Sequence, residues 1–63
     1  ADRVIGAVGV VQETIDNDHA QGRVSVGGLN WTARSSDGSV IKQGSKVKVT
    51  AIEGVKVIVE TFV

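Results

Sequence analysis

The residues that could do chemistry are few. Asp16, Asp18 and His19 place two carboxylates and an imidazole in one short segment, a donor set that could hold a divalent cation. The spacing lacks the glycine and distal glutamate of a calcium loop. Zinc sites draw on three or four Cys or His ligands, and this chain has one His and no Cys. The reading is therefore a solvated acidic loop, with no metal ligand assigned. Ser45 and Lys46 are adjacent, so on a strand they point to opposite faces and cannot act as a nucleophile and its base. Ser35, Ser36 and Ser39 fall in a turn cluster, where hydroxyls bond their own backbone. Gly6-Ala7-Val8-Gly9 lacks the remaining glycine and the following helix of a phosphate-binding loop. No nucleophile, base and orienting group come together, so the chain is read as non-enzymatic, with no catalytic, cofactor-binding or metal residues.

Trp31 raises a different possibility, base stacking. Single-strand binders line a basic groove with several aromatics. Here Trp31 and Phe62 are the only aromatics, and seven Lys and Arg balance seven Asp and Glu. A neutral chain has no electrostatic funnel for phosphates and no pull toward an acidic membrane surface. Trp31 is instead expected inside, in phase with Leu29 and Ala33.

The elements that must position these residues are strands. Val, Ile, Thr and Gly dominate, and Pro, Met and Tyr are absent, a strand-and-turn composition. The first strand is expected over 7–15. Val8 and Val10 lie on one face and Val11, Glu13 and Ile15 on the other, so a bulge or bend near Gly9 to Val11 is expected. A polar loop follows over 16–21. Strand two covers 23–26, with Val24 and Val26 inward. Gly27 and Gly28 make a two-residue turn, and strand three runs 29–35. After the turn cluster of 35–39, Val40 and Ile41 make a short apolar contact. Strand four spans 46–52 with Val47, Val49 and Ala51 inward. Glu53-Gly54 turns the chain into strand five, 55–62, with Val55, Val57 and Val59 inward.

Five short antiparallel strands with two tight hairpins and one longer crossover predict an all-β fold, a small five-stranded Greek-key barrel of the OB kind. An SH3-like barrel is the alternative, since the sequence does not separate their strand orders. Sixty-three residues make one domain with a thin core: a lead-in over 1–6 and a barrel over 7–63. No disulfide can reinforce it. No apolar run approaches the roughly 20 residues of a membrane span, and a chain opening without Met reads as a fragment of a longer protein.

On a free barrel the outward positions are expected to be polar. Ile52, Ile58 and Phe62, with Val63 beside them, are apolar residues expected on the outside of the last hairpin. They form the candidate interaction patch, unless the lead-in or the Val40-Ile41 segment folds over them.

Gly6 and Gly9 open the first strand. Gly22-Arg23-Val24-Ser25-Val26-Gly27, Trp31-Thr32-Ala33, Ile41 with Gly44, Val47-Lys48-Val49 and Gly54 follow in order. This order resembles the soluble C-terminal domain of NfeD-like membrane proteins over 6–60. One position departs: Ala20 stands where the family often has proline, so a more mobile or differently shaped loop is expected. The resemblance implies an OB-like barrel, a parent with transmembrane helices before Ala1, and a stomatin- or flotillin-like membrane protein as partner. It implies a membrane-associated domain, with the cytoplasmic side favoured. It offers no catalytic or cofactor residue, and no nucleic-acid partner. The function expected is a non-enzymatic protein-interaction domain acting in membrane organisation or membrane-protein quality control. The alternatives are an oligonucleotide-binding module, which rests on fold analogy, and an accessory domain of a membrane-associated serine protease, since some members carry a Clp-type protease domain.

Overall fold

The computed structural model describes residues 4–62. Ala1 to Arg3 of the expected lead-in, and Val63, lie outside the described residues. Five strands follow one another: β1 (Val8–Asp16), β2 (Gln21–Val26), β3 (Leu29–Ser35), β4 (Lys46–Glu53) and β5 (Lys56–Thr61), with one turn of 3-10 helix at Asn17–His19. They close into a barrel in the order β1-β2-β3-β5-β4. This is the OB-like arrangement.

The expectation of antiparallel pairing throughout fails at one seam: β3 and β5 run parallel, with Thr32 beside Lys56 and Ser35 beside Val59. A ring of five strands cannot alternate direction all the way round, so closure demands a parallel pair. It falls between β3 and β5, the strands that the long 36–45 connection allows to meet.

Valine fills the interior. Val11, Val24, Val26, Val47, Val49, Val57 and Val59 are buried with Ile15, Ala33 and Ile41, and Val4, Ala7, Trp31 and Ile52 pack half-buried against them. Branched side chains suit this site because they fill a pleated, two-sided layer at small entropic cost.

Local irregularities decide which residues face in. On β1 the bulge expected near Gly9 to Val11 lies further on. Register slips between Val11 and Glu13 and again between Glu13 and Asp16. Each extra residue exchanges faces, and two exchanges return Ile15 to the interior. Val8 and Val10 simply face outward, while Gly9 and Val11 face inward. Gly9 has to be small: a Cβ there would sit 2.6 Å from the Ser25 carbonyl oxygen and from Val26 Cγ2.

A second slip lies on β4, between Val49 and Ala51. Past it, Ile52 pairs with the inward Val57 and Ala51 pairs with Ile58. The expected facing of this segment is thereby reversed: Ile52 points to the core and Ala51 outward. The last turn is also one residue later than expected. Glu53 pairs with Lys56, so Gly54 and Val55 form the turn, and Val55 is among the most exposed side chains rather than inward. Leu29 keeps its phase with Ala33 but extends past the core and is 64% exposed.

Candidate binding surfaces

The two ends of the barrel differ. At the end where β1 finishes and β2 begins, the polar residues of the sequence close the structure. Ile41 bridges to Ile15 through paired backbone bonds of 2.8 and 3.0 Å and seals the interior. Gly22 permits this, since a Cβ there would meet Ile15 Cγ1 at 2.8 Å and the Ala33 carbonyl oxygen at 2.9 Å. Asn17 clamps the backbone of Ser35: its Nδ2 donates to the Ser35 carbonyl and its Oδ1 accepts from the Ser35 N–H, both at 2.9 Å. The Asp37 carboxylate accepts from the Ser35 and Ser39 hydroxyls, each at 2.7 Å, and from the Ser39 N–H at 3.0 Å. The Ser39 hydroxyl above all, then the Ser39 N–H and the Ser35 hydroxyl, lowers the Asp37 pKa to about 2.

The candidate metal-binding trio serves the same end. Asp16 caps the 3-10 turn by accepting from the Asp18 N–H at 3.1 Å, and its other oxygen meets His19 Nδ1 at 2.7 Å. His19 is the main cause of the lowered Asp16 pKa. Among the described residues no three His, Cys, Asp or Glu side chains are grouped to hold a metal ion. Ala20 follows with φ 52°, a left-handed backbone that proline's ring forbids. Proline at this position would require a different backbone. Arg34 braces it, donating from Nη2 to the Ala20 carbonyl at 2.9 Å.

Ile52, Ile58 and Phe62 do not form a continuous outer surface. Ile52 packs against the core. Ile58 is half-buried in a row between Arg34 and Ala51. Phe62 is 47% exposed, and its N–H donates to the Lys46 carbonyl, which places it in a row with Lys46 and Val10. Neither Val4 of the lead-in nor Ile41 covers the hairpin, since both pack on the barrel interior.

Among the described residues the opposite end is open. Val4, Ala7, Val8, Val26, Leu29 and Trp31 border a cleft of about 480 Å³ with the Gly27 backbone at its rim. Every one of these side chains is apolar. Trp31 is half-buried here, between the core and the cleft, rather than sunk in the interior as its phase suggested. Sequence periodicity missed this site because Val4 and Val8 reach it from a segment far from Trp31 in the chain. The visible signal was the run of apolar residues on both sides of the Gly27-Gly28 turn.

A five-stranded OB-type barrel, plugged by hydrogen bonds at one end and apolar at the other, defines a class of small, closed β-barrel domains. Comparison with known proteins narrows the class. The model of the NfeD-like C-terminal, partner-binding domain matches residues 1–60, and the chain belongs to this family. It is similar to the C-terminal domain of a stomatin operon partner protein from Pyrococcus horikoshii, at 32% identity and a TM-score of 0.87, covering 98% of this chain and 92% of that one. It also resembles the soluble domain of a Corynebacterium glutamicum membrane protein implicated in regulation of membrane protease activity. That likeness is at 32% identity and a TM-score of 0.82, covering 92% of this chain and 90% of that one. An uncharacterized protein of Methanocaldococcus jannaschii is 35% identical over 60 residues, covering 95% of this chain. The chain spans only 41% of the length of that relative. No helix among the described residues is long and apolar enough to cross a membrane.

Proposed function

We propose that this chain is the partner-binding domain of a membrane-associated NfeD-family protein. It contacts a stomatin- or flotillin-type membrane protein and contributes to membrane organisation or membrane-protein quality control. It acts by binding rather than by bond-making. The observation that carries this reading is the family match over residues 1–60, joined to likeness along almost the whole chain with a stomatin operon partner. The side chains that looked reactive support it too. Asp16, Ser35 and Ser39 are engaged, the two serines through Asp37, in holding one end of the barrel together.

The test is co-purification of the whole protein with a stomatin-type protein from the same organism, in mild detergent. Stable capture that needs this domain supports the reading. Capture that persists when the domain is deleted, or repeated failure of capture, refutes it. Phe62→Ser with Ile58→Ser examines the outer patch. Loss of capture with an intact fold places the contact there, and unfolding removes the patch from consideration.

A further inference from the structure

We infer that the open end of the barrel is a seat for a short, extended, uncharged apolar peptide segment, which adds to β1 and lodges its side chains against Trp31. The inference rests on the partner-binding reading and names the surface and the chemistry of what it binds.

The first argument is backbone pairing. Along the first half of β1, alternate residues bond alternate neighbours. The Ala7 carbonyl accepts from the Val49 N–H and the Val11 N–H donates to the Ser45 carbonyl, both at 2.9 Å. Odd-numbered residues here therefore face β4 with their polar groups, and even-numbered residues face β2. Val10 has its β2 partner in Ser25, and the ladder stops there. Val8 is paired with Lys48 on the β4 side and has no rung on β2. Its N–H and C=O point into the seam where β1 leaves β2. Across that seam lie Val26 and Gly27, and the cleft opens between them. A closed barrel ordinarily leaves no free strand edge. Among the described residues this one keeps about one residue of edge, beside an apolar recess. An extended segment can bond such an edge through its main chain and place alternate side chains in the recess.

The second argument is size. A standard protein interface takes about 800 Å² and some 20 residues from each partner, and that area is about one-fifth of the 4019 Å² surface of this chain. Among the described residues seven line the cleft, too few for a globular partner or for a second copy, but its volume suits a ligand of a few residues. The third is charge. None of the described lining residues is ionisable, so a charged side chain entering the recess would lose water and gain no partner among them. The occupant is therefore uncharged, with one or two leucine-sized side chains.

The test uses the 63-residue chain and an acetylated, amidated serine-leucine-valine-leucine-serine pentapeptide. Its control carries aspartate in place of both leucines. Trp31 is the only tryptophan, so its emission reports on the cleft, and amide shifts report on the backbone. The pentapeptide is expected to shift Trp31 emission saturably and to move the Val8 and Gly27 amides. The aspartate control is expected to bind at least about tenfold more weakly. Leu29→Ser, at an exposed position, is expected to weaken binding by about tenfold while the unfolding midpoint holds. Phe62→Ser is expected to leave peptide binding unchanged. Absence of shifts at Val8 and Gly27 at millimolar peptide overturns the inference. So do shifts centred on Phe62, shifts produced by raising the chain's own concentration, and Trp31 quenching by an oligodeoxythymidine but not by the peptide. If Leu29→Ser leaves capture of the stomatin-type protein intact, this surface is wrong and the partner reading stands. If the peptide binds as expected but no such protein is captured, the seat stands and the partner reading fails.

Discussion

Gly22→Ala is the substitution that most directly examines how this barrel is closed. Gly22 has φ +147°, and a Cβ on it would lie 2.8 Å from Ile15 Cγ1, 2.9 Å from Ile15 Cα and 2.9 Å from the Ala33 carbonyl oxygen. Two of these neighbours are backbone atoms, and they cannot swing aside as a side-chain tip can. The unfavourable backbone conformation costs about 1–2 kcal/mol and overpacking about 1–3 kcal/mol more. The sum, roughly 2–5 kcal/mol, meets a total stability of about 3–9 kcal/mol for a chain of this length. Gly27→Ala is the control. Its φ is +59° and nothing lies within 4 Å of the added Cβ, so only the backbone contribution of about 1–2 kcal/mol remains. Gly9→Ala completes the set, with the clash on Ser25 O but no positive φ. Urea unfolding followed by Trp31 fluorescence orders the three variants. With a slope of about 1 kcal/mol per molar, Gly27→Ala moves the midpoint down by about 1–2 M, and Gly22→Ala moves it further or leaves the chain unfolded. If Gly22→Ala is no more destabilising than Gly27→Ala, the close approach of β1, β2 and β3 described above is wrong.

Ile52→Ser is expected to lower stability by about 1–3 kcal/mol through lost core contact, and Phe62→Ser by less than about 1 kcal/mol; equal losses in urea unfolding would refute the β4 register slip. Ala20→Gly relieves a left-handed backbone and is expected to raise stability by up to about 1 kcal/mol. Ala20→Pro cannot adopt that φ and is expected to lower stability, and a thermal melt showing the reverse order would overturn the loop geometry. The Asp37 pKa is depressed to about 2 from 3.8, so its contribution is complete above pH 4 and fades as pH falls toward 2. Asp37→Asn is expected to flatten the loss of unfolding midpoint between pH 4.5 and 2, relative to wild type and to Asp16→Asn. A wild-type slope in that variant would show that the Ser35 and Ser39 hydroxyls do not hold the carboxylate in solution.

Much of the architecture was legible along the chain, because strands and tight turns are local. Alternation of valine with polar residues is a period-2 signal, and it marked all five strands to within two residues at either end. The Gly27-Gly28 turn was readable because both residues take positive φ, 59° and 83°, which side-chain-bearing residues avoid. The inward facing of Val24, Val26, Val47, Val49, Val57 and Val59 followed from the same alternation. The order of glycines, valines and Trp31-Thr32-Ala33 was enough to carry the family resemblance. Gly9 and Gly22 now have a physical reason within that order, since any side chain there would strike a neighbouring strand.

The candidate surfaces were less legible. Ile52 was misplaced because one extra residue on β4 exchanges faces without leaving a mark in composition. Val55 was misplaced because a turn shifted by one residue reads almost the same. The open cleft was missed because its walls come from the lead-in, β1, β2 and β3, and only folding brings them together. What the amino-acid order alone determined was where the chain extends, where it turns and which type of side chain fills the middle. Tertiary structure decided where the unavoidable parallel seam falls, which apolar residues reach the surface, and that among the described residues one end is sealed while the other stays open. Those are matters of closure and register, set by contacts between residues distant in sequence, and no local pattern encodes them.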